Sequence, residues 1–139
     1  MLSGSSVDAL WKLCGSAQRW GDPVRNPVRR LVKAPVRVPV KVGHAEAVNI
    51  ETEVCITPDQ AKEILSQSQG IKVVDDVSEN SYPTPRTHGN ETDDVFVGRI
   101  RKDHTLKNGI NLWVVADNLR KGAALNSIQI AEALIQNYI

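Results

Sequence analysis

The feature that most constrains the fold is an alternation of apolar and polar residues around position 40. Its apolar members are Val36, Val38, Val40 and Val42, and its polar members include Arg37 and Lys41. A second alternation over residues 47–54 puts Val48, Ile50, Thr52 and Val54 on one face. A period of two is typical of a strand with one buried face. Because Gly43 permits a turn, we expect two paired strands with Arg37 and His44 on or beside the polar face.

Arg37 and His44 are candidate functional residues. A guanidinium can hold a carboxylate or phosphate through two parallel hydrogen bonds. A histidine that titrates near neutrality can take up and release a proton. The residues alone leave open whether this pair is half of an active site or a solvated arginine beside a structural histidine.

The remaining pattern predicts two helices and three further strands. The first helix begins with a capping box formed by Thr57 and Gln60, with Pro58 at its first position. Its buried stripe is Ala61, Ile64 and Leu65, and Gly70 can end it. Strands are predicted over Ile71–Val74, Val95–Arg101 (Phe96, Gly98 and Ile100 on one face) and Ile110–Ala116, the last one central and covered on both faces. Residues 75–94 are polar, and we expect a loop over the substrate cleft or the subunit interface. From Gly122 onward we expect a helix whose wide apolar stripe needs two covering layers, of which the sheet is one.

These elements predict an α+β domain with a mixed or antiparallel sheet and helices packed on one face. Residues 1–33 carry six Lys or Arg against two Asp or Glu and are broken by Gly and Pro, so we expect a divergent, disordered basic leader there and a folded domain over 34–139. The whole chain has a formal net charge of +1, which does not point to nucleic acid or an anionic membrane. Two cysteines and no apolar run of membrane-spanning length predict a cytoplasmic protein without a disulfide framework.

Four segments carry a resemblance to a known family. RVPVKVGHAEAVNIE (residues 37–51), VFVGRIRKD (95–103), GINLWVVADNLRKGAA (109–124) and NSIQIAE (126–132) resemble, in the same order, the C-terminal catalytic and dimerisation domain of aspartate-semialdehyde dehydrogenase. The similarity covers about residues 34–139. It implies the NADP-dependent conversion of L-aspartyl-4-phosphate to L-aspartate-4-semialdehyde, in lysine, threonine and methionine biosynthesis, and a homodimer or a pairing with full-length enzyme.

The resemblance also implies roles for single residues. His44 matches the family's acid/base histidine, and Arg37 matches the arginine that binds the substrate carboxylate. Lys12 matches a substrate-binding lysine, while the glutamate expected near it falls on Ala9. Asn118 and Gly122 fall where the family contacts its cofactor.

Two parts of the family's machinery have no counterpart here. No Gly-x-Gly-x-x-Gly follows a strand, so most of the NADP-binding domain is expected to be missing. Cys55, between Val54 and Ile56, reads as a buried and inert thiol, and Cys14 has no matching motif, so neither is assigned as the nucleophile. No Cys or His spacing indicates a metal site.

Three functions therefore remain open: a fragment of the dehydrogenase that is inactive alone, a non-catalytic dimerisation module, and a phosphate- or nucleic-acid-binding domain that uses the basic residues from Arg25 to Lys33.

Overall fold

A five-stranded sheet organises the part of the chain that can be described. A computed structural model describes residues 28–138, with the backbone alone for Gly122, Ala133 and residues 136–138. The strands are β1 (Val28–Val36), β2 (His44–Thr52), β3 (Ile71–Val73), β4 (Val95–Asp103) and β5 (Gly109–Ala116). The helices are α1 (Pro58–Ser66), the short α2 (Pro85–His88) and α3 (Leu125–Tyr138), which follows a π-helical turn over Arg120–Ala124.

The strand order is β1-β2-β5-β4-β3, so β5 is central, as its apolar sequence predicts. Every pairing is antiparallel except that of β3 with β4. One face packs against Ala61 and Leu65 of α1. The buried core consists of these two residues with Val48, Ile50, Ile71, Val95, Val97, Ile100, Ile110, Leu112 and Val114. The predicted mixed sheet and α+β class are confirmed.

The predicted start of α1 is also confirmed. The Thr57 hydroxyl accepts from the Gln60 backbone N–H, and the Gln60 side chain accepts from the Thr57 N–H. Each bond satisfies a donor that the helix leaves unpaired. The helix ends at Ser66 with Gln67 as its cap, so Gly70 serves the following turn, where its φ is +73°. The prediction that Gly70 ends the helix was therefore wrong, because the helix ends about one turn earlier.

The first strand lies earlier than predicted. Residues 37–43 form the loop between β1 and β2 rather than a strand. The backbone N–H of Val40 donates to the carbonyl of Val38 at 2.8 Å, which is the hydrogen bond of a γ-turn centred on Pro39. A chain that reverses locally in this way cannot also pair with a neighbouring strand.

The expected boundary after residue 33 falls inside β1. Leu31 is paired with Ile50 and packs against the core, so residues 28–33 belong to the sheet. The pairing with β2 shifts between Val28 and Arg30. This irregularity hides the strand period in the sequence. Residues 1–27, where the rest of the predicted leader lies, are outside the described residues.

A bulge in β4 overturns the predicted side-chain alternation there. Gly98 pairs with Trp113 and Arg101 with Asn111, so β4 has one residue more than β5 between these pairs. Arg99 accordingly has a φ of +51°. Val95 and Val97 face the core, and the extra residue returns Ile100 to that face, whereas Phe96 lies on the other face against His88 of α2.

Two further expectations were wrong. Cys55 is exposed because β2 ends at Thr52 and the thiol lies in the loop before α1. Helix α3 continues directly from the π-helical turn, and its residues Ile128, Ile130, Leu134 and Ile135 remain between 51% and 59% exposed. The sheet therefore does not cover the apolar stripe of this helix.

Within the described residues, no helix combines the length and the apolar character needed to cross a membrane.

Candidate functional site

The strand register brings three of the predicted site residues to one end of the sheet. Val36 pairs with Ala45, so Arg37 and His44 are the next residues beyond this pair on β1 and β2. On its other side His44 pairs with Ala116, the last residue of β5, and Asn118 follows two residues later. Antiparallel pairing thus places residues up to 81 positions apart in sequence at one edge.

The loop that carries Arg37 is fastened to this edge through Gly43. The backbone N–H of Gly43 donates to Oδ1 of Asn118 at 2.9 Å. Gly43 has a φ of +105°, and a Cβ atom there would lie 2.8 Å from the carbonyl oxygen of Pro85 and 3.0 Å from that of Gly89. Only glycine fits such a conformation and such a close approach. The loop 37–43 is therefore held between β5 and α2.

Asp117 organises the segment that follows β5. The residue is 2% exposed. It accepts hydrogen bonds from the backbone N–H groups of Leu119 at 2.9 Å, Arg120 at 3.2 Å and Glu91 at 2.9 Å. An acceptor at this position satisfies the free donors of the turn that follows β5. The result is a fixed start for the segment that contains Asn118 and Gly122.

His44 contacts a carboxylate of its own strand. Its Nε2 atom lies 3.2 Å from Oε1 of Glu46, and Oε2 of Glu46 lies 3.6 Å from Nζ of Lys33 on β1. The side chain of His44 is 36% exposed and that of Glu46 is 19% exposed. The imidazole is thus held on one side and remains accessible on the other.

The structure says less about the other predicted site residues. Lys12 lies outside the described residues. Gly122 lies within the turn Arg120–Ala124, in which Lys121 and Ala123 depart from helical φ and ψ. Arg37 and Asn118 are both exposed. The predicted loop over residues 75–94 contains α2 and lies against the sheet face opposite α1, where Trp113 Nε1 donates to the carbonyl of Pro83 at 2.9 Å.

Cys55 is remote from this edge. It lies just beyond the opposite end of β2 from His44, and a nine-residue strand spans about 25 Å at the usual rise per residue. The thiol is exposed, but the described chain cannot bring it to the histidine.

The arrangement can bind an anion and move a proton. An exposed guanidinium can bind a carboxylate or phosphate, and a histidine with one accessible side can exchange a proton with a group placed beside it. The resemblance assigns one dinucleotide contact to the amide of Asn118, and in this structure the Oδ1 atom of that amide accepts a hydrogen bond from Gly43. In the described part of the chain, no group of three or more His, Cys, Asp or Glu could hold a metal ion.

Sequence reasoning missed four of these positions: Lys33, Glu46, Gly89 and Asp117. Glu46 could have been found, since residues two apart on a strand share a face. Asp117 carried a signal as well, because an aspartate directly after a strand and before a helix is a typical cap. Nothing local in the sequence indicates the contact of Gly89 with Gly43.

Comparison with known proteins agrees with the geometry. Residues 22–121 match the family described as semialdehyde dehydrogenase, dimerisation domain. Aspartate-semialdehyde dehydrogenase of Aquifex aeolicus is 50% identical over 94 residues, which are 68% of this chain and 27% of that protein. The Legionella pneumophila protein of the same name is 51% identical over 97 residues, 70% of this chain and 28% of its own length.

Solved structures give the same result. Aspartate-semialdehyde dehydrogenase II of Vibrio cholerae, determined in complex with ASA, superposes with a TM-score of 0.67 at 48% identity, over 74% of this chain and 30% of that one. A probable aspartate-semialdehyde dehydrogenase of Pseudomonas aeruginosa gives a TM-score of 0.62 at 34% identity, over 73% of this chain and 29% of that one. The chain spans less than a third of the length of these relatives. It belongs to the semialdehyde dehydrogenase family and corresponds to the dimerisation domain of that family.

Proposed function

We propose that this chain is the C-terminal substrate-binding and dimerisation domain of an aspartate-semialdehyde dehydrogenase. The reaction is the NADP-dependent conversion of L-aspartyl-4-phosphate to L-aspartate-4-semialdehyde, in the biosynthesis of lysine, threonine and methionine, and the location is the cytoplasm. The observation that carries the proposal is the convergence of Arg37, His44 and Asn118 at one edge of the sheet. These are the residues whose sequence context matches the family's functional positions.

Each residue has a defined task in this proposal. Arg37 binds the α-carboxylate of the substrate through a bidentate ion pair. His44 accepts the proton of the nucleophilic thiol and later serves the oxygen of the thiohemiacetal. The amide of Asn118 contacts the cofactor near Gly122, Lys12 contributes to substrate binding, and NADP supplies the redox chemistry when bound.

The nucleophilic cysteine and the cofactor domain are proposed to lie in the part of the relatives that this chain does not span. Because Cys55 lies at the far end of β2, it cannot replace that nucleophile. The chain alone is therefore expected to show no dehydrogenase activity.

The test supplies the missing domain in trans, as a separately purified N-terminal domain of a relative. Wild-type chain should then restore measurable turnover. His44→Asn should lower kcat by about 10²–10⁴-fold, the usual contribution of a positioned acid/base group. Arg37→Leu should chiefly raise KM, because a carboxylate contact acts largely in the ground state. Robust turnover by residues 1–139 without the added domain would refute the assignment.

A second candidate is a non-catalytic dimerisation module that pairs with itself or with full-length enzyme. It is favoured by the sheet face opposite α1, which carries Val32, Ala34, Ala47, Asn49, Asn111 and Trp113 and is called the open sheet face below. Val32 is 41% exposed, and Ala34 and Ala47 are exposed as well. Dimer formation without any turnover in the complementation assay would select this candidate.

The third candidate, an anion-binding basic segment, has less support. Lys33 is paired with Glu46, and Arg29 lies at the register shift between Val28 and Arg30. The described part of the basic run thus does not present its charges on one surface, and Arg25 lies outside the described residues. Steep salt dependence of nucleic-acid binding would be needed to revive it.

A further inference from the structure

Three polar side chains form a connected row beside the candidate site. His44 and Glu46 are two residues apart on β2 and therefore lie on the same face, with Nε2 of the ring 3.2 Å from Oε1 of the carboxylate. On the neighbouring strand the ammonium of Lys33 lies 3.6 Å from Oε2 of the same carboxylate. The row runs from β1 across β2 to the end of the sheet.

The carboxylate of Glu46 occupies a position that costs stability. Its Oε2 atom is buried and accepts no hydrogen bond from the described residues, and the ammonium of Lys33 is too distant to donate one. A buried acceptor without a donor destabilises the folded state, because it has lost its hydrogen bonds to water. Its cross-strand partners are Pro35 and Val114, so an apolar side chain would suit the position better. What the glutamate gains in return is its contact with His44.

Among residues 28–138, Glu46 is the carboxylate that lies within ion-pair distance of the His44 ring. Arg37 lies across the hairpin from His44, but its side chain is positively charged, whereas that of Glu46 is negatively charged. On β5 the partner of His44 is Ala116, and the carboxylate of the following Asp117 is occupied by three backbone N–H groups. Glu46 is therefore the carboxylate that the structure offers to the imidazole.

We infer that Glu46 is a positioning residue for His44. Its carboxylate accepts a hydrogen bond from Nε2–H, which fixes the ring orientation and leaves Nδ1 as the nitrogen that takes up and releases the proton. A neutral imidazole has one N–H and one acceptor nitrogen, and the hydrogen bond made by one nitrogen decides which is which. The catalytic consequence rests on the proposed function, whereas the contact itself does not.

The contact is tested by nitrogen-15 NMR of the imidazole in the intact chain. In the wild type, neutral His44 should be a single Nε2–H tautomer with a slowly exchanging Nε2 proton. Glu46→Leu should give a mixture of both tautomers and lose that proton signal to exchange. Glu46→Gln, whose amide oxygen can still accept, should retain the wild-type spectrum in large part. Glu51→Leu on the same strand but the opposite face is the matched control and should change nothing.

The consequence is tested in the complementation assay. Glu46→Leu should lower kcat by about 10–100-fold, a part of the full acid/base contribution, with KM nearly unchanged, and Glu46→Gln should recover part of the loss. If the wild-type pair shows no turnover, the proposed function fails, and the NMR result alone decides whether Glu46 holds the ring. An unchanged spectrum in Glu46→Leu, or full kcat of that variant in an active pair, would overturn the inference.

Discussion

At Gly43 the backbone itself determines where the site residues lie. The residue has a φ of +105°, and a Cβ atom there would lie 2.8 Å from the carbonyl oxygen of Pro85. Gly89 makes the reciprocal approach, since a Cβ atom there would lie 3.1 Å from Cα of Gly43. Two glycines therefore let the loop 37–43 and α2 meet backbone to backbone beside His44.

We expect Gly43→Ala to lower the free energy of unfolding by about 1–3 kcal/mol, since both the conformation and the contact become unfavourable. Gly70→Ala is the matched control, because Gly70 has a φ of +73° but a Cβ atom there would meet only Nζ of Lys121, at 3.7 Å. Its cost should be about 1 kcal/mol, from the backbone conformation alone. Equal costs in denaturant titrations would contradict the close contact at Gly43.

Asp103 gives the chain a specific dependence on pH. The hydroxyl of Thr105, followed by its backbone N–H, holds the pKa of Asp103 below its usual value, and Asn49 on β2 contributes. A carboxyl whose pKa is lowered by folding stabilises the folded state above its unfolded pKa of about 3.9. That stabilisation is lost as the pH falls through the lower, folded pKa.

Thr105→Val should therefore destabilise the chain at neutral pH and do so less as the pH falls. The measurement is the free energy of unfolding between about pH 6 and pH 2, compared with the wild type. The two proteins should converge at the acid end, where Asp103 is protonated in both the folded and unfolded states. A constant difference across this range would show that the hydroxyl acts without involving the charge of Asp103.

Among the elements, the β4 bulge depends on a single carboxylate. Asp75, whose side chain is 5% exposed, accepts from the backbone N–H of Arg99 at 2.8 Å and of Ile100 at 3.2 Å. Nζ of Lys62 on α1 lies 2.9 Å from the same carboxylate. Asp75 thus satisfies the two donors that the bulge removes from the ladder and links them to α1.

Asp75→Ala should destabilise the chain by about 1–3 kcal/mol, because two backbone donors and one ammonium lose their acceptor. Asp93→Ala is the control, since it removes a carboxylate from an exposed ion pair with Arg120, which is expected to contribute at most about 1 kcal/mol. Thermal or denaturant unfolding measures both. Similar small losses for the two variants would show that the bulge does not need Asp75.

The elements also show where sequence reasoning succeeds and where it stops. The cap of α1 and the centrality of β5 could be predicted because both depend on local residue chemistry, namely the Thr57–Gln60 pair and a continuous apolar run. The face of Phe96 could not, because the bulge that reverses it is stabilised by Asp75, more than twenty positions away. The alternation over residues 36–42 predicts a strand, whereas the γ-turn centred on Pro39 has no distinct sequence signal.

The site could likewise be predicted only in part. His44, Arg37 and Asn118 were identified from their resemblance to a family, and the register explains why they meet. Glu46 was overlooked because an isolated glutamate on a strand is usually solvated, and only the structure shows its buried oxygen. Gly89 was out of reach, since its partner is 46 positions away.

For the whole molecule, the distribution of exposed apolar residues is the main clue to assembly. The core face of the sheet is covered by α1, whereas the open sheet face leaves Val32 and Ala47 accessible. The segment 75–94 covers the part of that face formed by β5 and β4, where it contacts Trp113 and Phe96, so the accessible part lies on β1 and β2. The apolar stripe of α3 is exposed as well. The match to the dimerisation-domain family ends at residue 121, so it includes the open sheet face and does not include α3.

We expect the chain to form a dimer through the open sheet face, and Ala47→Arg to convert it to a monomer. Ala47 lies on an inner strand, between Ala34 of β1 and Trp113 of β5, so a guanidinium there would have to be buried without a partner. A two-fold interface contains each substitution twice, which doubles the desolvation cost. Ala131→Arg on the exposed surface of α3 is the control and should remain dimeric. Sedimentation velocity over a range of concentrations distinguishes the species. A wild-type monomer at all concentrations would contradict the dimer, and a dimeric Ala47→Arg would move the interface to another surface.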